Sequence, residues 1–211
     1  MNYSAVVAFL FLFPTIFAVG FAQTERSEVT ASAVADFTRP SPGAFVSGWN
    51  AGTNITQTSR AGVGGSLEYR YALRGNNSAD LLYSRTPTNS KLVLPANSED
   101  IWPISRNEFD LLFTHRLRPL LHGLFSLYGA AGAGGILLNG GKTESGFDKQ
   151  FAFVAGGGGD IRVAYRLRLR VGLTTDFLKA STYSDITYRS SWTSMAEPRI
   201  GFVVPLGMTE R

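Results

Sequence analysis

The strictest constraint on this chain is a period of two. In YRLRLRVGLTTDF, Tyr165 to Phe177, arginines stand at positions 166, 168 and 170, and Leu167, Leu169, Val171 and Leu173 fill the places around them. Successive residues of a strand point to opposite faces, so this segment makes a strand with one cationic face and one aliphatic face. In a soluble sandwich the aliphatic face meets a core and the arginines meet water. In a membrane the same strand puts its aliphatic face against lipid and its arginines into a polar interior.

The alternation recurs along the chain. Val29, Ala31, Ala33, Ala35 and Phe37 alternate with Thr30, Ser32, Val34, Asp36 and Thr38. Ala61, Val63, Gly65, Leu67, Tyr69 and Tyr71 alternate with Gly62, Gly64, Ser66, Glu68 and Arg70. A weaker third set is Ala79, Leu81, Tyr83 and Arg85, and a fourth places Phe109, Leu111 and Phe113 against Glu108, Asp110, Leu112 and Thr114. LLHGLFSLYGAAGAGG makes a fifth strand with two possible phases, Phe125 and Leu127 favouring one and Leu124 and Tyr128 the other. Phe151, Phe153, Ala155, Ile161, Val163 and Tyr165 mark the sixth, and the arginine strand is the seventh. The eighth sets Trp192, Ala196, Ile200, Phe202 and Val204 against Glu197 and Arg199.

The connectors alternate long and short. PSPGAFVSGWNAGTNITQTS, PTNSKLVLPANSEDIWPIS, LNGGKTESGFDK and STYSDITYRSS are long; LRGNN, HRLRP and the turn within YRLR are short. Long loops at one end and tight turns at the other describe an up-and-down transmembrane barrel, whereas a Greek-key sandwich does not sort its connectors this way. The fold class is therefore all-β, an antiparallel, up-and-down, eight-stranded transmembrane β-barrel. Hydrocarbon requires every backbone polar group to be paired, so a sheet crosses only if it closes. Leu167, Leu169, Val171, Leu173 and Phe177 then face lipid, with Arg168, Arg170, Thr174 and Asp176 inside.

Eight strands leave an interior just wide enough for side chains, and charges buried there must be paired. The inward phase supplies Asp36, Glu68, Glu108, Asp110, Asp160, Asp176 and Glu197 against Arg70, Arg162, Arg168, Arg170 and Arg199. That near balance implies an internal salt-bridge plug, a polar network built from Glu68, Arg70, Asp110, Asp160, Arg162, Arg168, Arg170, Asp176, Glu197 and Arg199. Tyr69, Tyr71, Tyr83, Trp102, Tyr165, Phe177 and Trp192, near strand ends, suit interfacial aromatic girdles.

Composition agrees. Charged residues make up only 17% and hydrophobic residues 44%, with 23 glycines and no cysteine, which removes disulfides and thiolate metal sites. The net charge of +4 is spread over alternating strand positions, not the footprint of a nucleic-acid binder. The start, MNYSAVVAFLFLFPTIFAVGFAQTE, reads as a secretory leader over residues 1–22, cleaved after Gly20-Phe21-Ala22. The barrel domain then occupies residues 23–211.

The segments YGAAGAGG, FAFVAGGGGDIRVAYRLRLRVGLTTDF and PRIGFVV resemble the small eight-stranded outer-membrane barrels of the OmpA/OmpX type, over about Glu28 to Leu206. The resemblance implies an integral outer-membrane protein, with outer-membrane lipid and the outer-membrane assembly machinery as partners, no nucleic acid, and a monomer. Members commonly end on an aromatic residue, whereas this chain runs past Phe202 to Gly-Met-Thr-Glu-Arg.

No motif points to catalysis, a cofactor or a metal. GILLNGGKT, Gly135 to Thr143, misses a phosphate-binding loop because Gly141 intervenes before Lys142. Gly156 to Gly159 lies within a strand, where glycine marks a kink or a close approach. His115 and His122 flank the turn at Pro119 and read as polar turn residues, and Asn54-Ile55-Thr56 and Asn76-Asn77-Ser78 as loop and turn polar residues. The expected role is structural or surface-interacting, with the four long loops as the contact surface. The alternatives are a narrow channel for small solutes, a lipid-modifying barrel enzyme using the histidines, and an exported lipocalin-like binder with the faces reversed.

Overall fold

A computed structural model describes residues 27–45, 52–93, 99–140, 147–179, 186–188 and 192–206. The expected leader, residues 1–22, lies outside the described residues. The strands are β1 (Ser27–Thr38), β2 (Ser41–Phe45), β3 (Asn54–Ser59), β4 (Gly62–Ala72), β5 (Asn77–Val93), β6 (Glu99–Arg116), β7 (Phe125–Gly140), β8 (Phe147–Ala164), β9 (Leu167–Lys179), β10 (Ile186–Tyr188) and β11 (Trp192–Pro205). Eight of them form the wall, in the order β5-β4-β1-β11-β9-β8-β7-β6, and β5 pairs with β6 to close it. All the pairings are antiparallel, and the first and last strands meet with Ala31 opposite Phe202. With no open edge in the wall, no row of unpaired backbone groups faces the bilayer.

The two phases sort as the alternation requires. Leu81, Phe109, Leu111, Phe113, Phe151, Phe153, Val171, Leu173, Phe177, Ile200 and Phe202 are exposed on the outside. On the same strands Asp80, Glu108, Asp110, Asp160, Arg170, Asp176 and Glu197 are buried. An apolar exterior of this extent is rare on a soluble monomer and marks a membrane or protein contact surface, and it is the inverse of a lipocalin-like arrangement. Leu173 stands halfway along β9, on the outer face. Leu173→Arg is therefore expected to cost about 2–4 kcal/mol of unfolding free energy in lipid vesicles. A denaturant titration followed by tryptophan fluorescence checks this, with Thr174→Ser on the inner face as the mild comparison.

Two sequence expectations are corrected. The segment 87–105, read as a long loop, carries the far ends of β5 and β6, leaving 94–98 outside the described residues. Thr86, Thr88, Ser90 and Leu92 are buried in strict alternation there, so the period of two continues, written mostly in polar residues that hydropathy does not register. At 17 residues, β5 rises roughly 43 Å when tilted by about 40°, against an apolar band of about 25 Å. The β5–β6 hairpin thus projects beyond the bilayer. The first long connector likewise contains β2 and β3: β3 pairs with the end of β5, β2 with β3, and β10 with β2.

The fifth wall strand begins at Phe125, and the expected start at Leu120 is instead part of the turn. Leu121, at φ 51°, and Gly123, at φ 86°, take left-handed backbone conformations around a 3-10 turn at Leu121–Gly123. The phase is settled as well. Ser126 and Ile136 are buried on the inner face, and Leu127 is exposed on the outer one.

Candidate functional site in the barrel interior

The inward residues gather into two charged clusters. The first lies toward the short turns and follows from register. Arg70 faces Asp80 across the β4–β5 hairpin, and Asp160 faces Arg170 across β8–β9. Arg70 Nε donates to Asp80 Oδ2 at 2.9 Å and its Nη2 donates to the same oxygen at 2.7 Å. Thr114 on β6 adds a hydroxyl donor to it at 2.7 Å. Arg170 Nε donates to Asp160 Oδ1 at 2.7 Å and Nη2 to Asp160 Oδ2 at 3.0 Å. This is the fork-to-carboxylate geometry that makes arginine the residue for buried pairs. Arg170 also holds Glu68 on β4 and Thr30 on β1. Glu28 joins from the end of β1, 2.5 Å from Arg168 and 3.1 Å from Arg116, which is itself 3.3 Å from Asp160. Four carboxylates meet four guanidiniums, and this cluster is balanced.

Tyr128 stands at its centre. The guanidiniums of Arg70 and Arg170 each lie 5.1 Å from the centre of its ring, a double cation–π arrangement. The room comes from two glycines. A Cβ on Gly158 would sit 2.7 Å from the Tyr128 hydroxyl oxygen, and one on Gly172 2.6 Å from it. The glycine run of β8 thus serves a close approach.

The second cluster lies further toward the long loops, with Arg106 as its hub. Its Nη1 donates to Glu197 Oε1 at 2.5 Å and lies 3.4 Å from Asp36 Oδ2. Its Nη2 donates to Asp176 Oδ2 at 2.7 Å and also to Glu108. Arg199 donates to Glu197 Oε2 at 2.6 Å. The last member, Asp110, is 1% exposed, and neither of its carboxylate oxygens accepts an N–H or hydroxyl from the described residues. Among the described residues, Asp36, Glu108, Asp110, Asp176 and Glu197 thus meet only Arg106 and Arg199: five carboxylates to two guanidiniums. Along β5 and β6, Leu82 and Leu112 separate the two clusters, packed with Val154. Ile136, Ala152, Leu178 and Met195 pack together on the long-loop side of the second.

Of the ten residues assigned to an interior network from sequence, nine join the two clusters. Glu68, Arg70, Asp160, Arg168 and Arg170 come together in the first cluster, and Asp110, Asp176, Glu197 and Arg199 in the second. Arg162 does not join them. It is exposed at the short-turn rim, directly opposite Arg168 and beside a register shift before Ala164. Two like charges face each other there, and Arg168 alone turns in to Glu28. Sequence reasoning missed Arg106, Asp80, Glu28, Arg116 and Tyr128. His115 is exposed, with Nδ1 2.8 Å from Asn77 Oδ1 at the turn. A cavity of about 20 Å³ remains between the first cluster and Arg199, room for about one water.

Together, the closed wall and its two faces define an eight-stranded transmembrane β-barrel. No protein-family model matches the chain, and no curated protein matches it in sequence. Solved structures of outer-membrane proteins match its fold. OprG from Pseudomonas aeruginosa is similar at 10% identity, over 86% of this chain and 96% of that one, with a TM-score of 0.61. Neisserial surface protein A is similar at 12% identity, over 85% and 96%, with a TM-score of 0.55. AlkL, solved in DMPC lipid bilayers, is similar at 14% identity, over 89% and 94%, with a TM-score of 0.54. The fold is that of the small outer-membrane barrels.

Proposed function

We propose that this protein is an integral outer-membrane barrel with a structural or surface-contact role, its lumen closed by ion pairs. The observation that carries this reading is the span of the Arg106 side chain. It starts on β6 and reaches Glu197 on β11, the strand diametrically opposite in the ring of eight. Arg170 makes a second chord, from β9 to Glu68 on β4. Breaking the first leaves buried carboxylates short of countercharge, at several kcal/mol, so spontaneous opening is rare. Contact with other molecules then falls to the part beyond the bilayer, where the β5–β6 hairpin and the β2–β3 pair project. This reading places the protein in the outer membrane as a monomer, surrounded by its lipid and delivered by the assembly machinery after leader cleavage.

Planar-bilayer recording of the purified monomer tests it. The expected result is a membrane that stays at baseline conductance, with at most rare flickers. Steady ohmic steps from the monomer would show a channel for small solutes and overturn the closed lumen.

A further inference from the structure

The second cluster carries more negative charge than its own arginines can neutralise, and the surplus is concentrated at one spot. Glu108, Asp176 and Glu197 each offer a carboxylate oxygen, and these atoms all lie within 4.8 Å of one another. Arg106 occupies one side of that group, taking Glu108 Oε2, Asp176 Oδ2 and Glu197 Oε1. The other oxygens of two of these residues, Glu108 Oε1 and Asp176 Oδ1, are buried with no partner. Asp110 supplies the independent sign. It lies outside the trio, is 1% exposed, has both oxygens unpartnered and has Glu108 and Asp176 as electrostatic neighbours. Its carboxylate occupies the space above Gly134, where a Cβ would stand 1.8 Å from Asp110 Oδ1. That backbone position is closed to any side chain that could offer a donor. Four buried carboxylate oxygens thus receive no N–H or hydroxyl from the described residues, and Glu108 stands within hydrogen-bond reach of both Asp110 and Asp176, where only a shared proton or a cation can join them.

We infer that Glu108, Asp110 and Asp176, with Glu197 at the edge, form a binding site for a hard divalent cation within the barrel. The donor set is all oxygen and mostly anionic, the chemistry that suits Ca²⁺ and Mg²⁺. Arg106 leaves Glu108 Oε1, Asp176 Oδ1 and both oxygens of Asp110 to the ion, whereas both oxygens of Glu197 are held by Arg106 and Arg199, so Glu197 contributes charge and not a ligand atom. The ion's two positive charges offset most of the excess of three carboxylates. The inference stands on the interior alone and holds whether or not the lumen conducts.

The test uses the purified, folded barrel in detergent, stripped with EDTA and then dialysed against radioactive calcium at neutral pH. The expected result is uptake of a single calcium per chain, with binding weaker by at least about tenfold in Asp110→Asn, since charge count sets affinity at such sites. Glu108→Gln serves as the second variant, and heat-dependent gel mobility identifies which variants are folded. Glu28→Gln, in the balanced cluster, is expected to bind as the wild type does. Absence of uptake by the folded wild type would mean that the carboxylates satisfy one another with protons, and would overturn the site. Uptake unchanged in both Asp110→Asn and Glu108→Gln would place the ion elsewhere and overturn it equally.

Discussion

Arg106→Leu is expected to lower the unfolding free energy of the barrel in lipid vesicles by about 3–5 kcal/mol at neutral pH, the cost of stranding buried partners of a removed charge. The loss is concentrated because one guanidinium serves four carboxylates, on β1, β6, β9 and β11. Without it, among the described residues, Glu108, Asp110, Asp176, Glu197 and Asp36 keep only Arg199, which donates to Glu197. Low-dielectric surroundings leave such groups few exits other than taking up protons. The deficit is therefore expected to shrink as pH falls, since a protonated carboxyl needs no countercharge and can donate to its neighbour. Urea titrations read by tryptophan fluorescence at neutral and acidic pH measure both parts. A variant within about 1 kcal/mol of wild type at neutral pH would show that the chord across the lumen is not what holds the interior, because that is the range of an exposed pair.

How legible this was in the sequence depends on which physical signal carried each element. The wall was readable wherever one phase was aliphatic and the other charged, as in β9, because lipid and lumen impose opposite demands on adjacent residues. It was unreadable where both phases are polar. Thr86, Thr88 and Ser90 alternate with Pro87 and Asn89 as regularly as any lipid-facing stretch, yet no hydropathy contrast marks them. Arg106, the hub of the interior, was lost with that part of the fold, because residues 87–105 were taken as loop. Its neighbours Glu108 and Asp110 sit among Phe109, Leu111 and Phe113 and were assigned inward. Arg162 shows the opposite failure. Its phase is correct, but phase fixes the face and not the height, and it emerges at the rim opposite Arg168. The pairs Arg70–Asp80 and Asp160–Arg170 were within reach, since a tight turn fixes register and register fixes the partner. Tyr128 was not within reach, because the phase of β7 was open and the ring's place depends on Gly158 on β8 and on Gly172 on β9, two strands along the wall.

Balance within a cluster, more than burial, decides how it responds to losing a charge, and the first cluster supplies the contrast. Arg170→Leu is expected to cost about 3 kcal/mol in the same vesicle assay, toward the low end for a broken buried pair. Asp160 keeps Arg116 at 3.3 Å and Arg168 at 3.9 Å, and Glu68 keeps Arg70 at 3.1 Å. Adding Asp160→Leu removes the cross-strand partner as well, leaving three carboxylates against three guanidiniums and two leucines packed face to face. Replacing both members of a buried pair with apolar groups of similar volume is often neutral, so the double variant is expected to regain at least about 1.5 kcal/mol of the loss. No comparable rescue is available to Arg106→Leu. Removing any one of its carboxylate partners still leaves four carboxylates with a single arginine. Recovery in the double variant at Arg170, together with its absence in Arg106→Leu/Glu197→Leu, separates a neutral structural pairing from a cluster that retains an unmet need for positive charge. Equal recovery at both sites would mean that the second cluster is satisfied by its own protons, and that its excess of carboxylates does not require a cation.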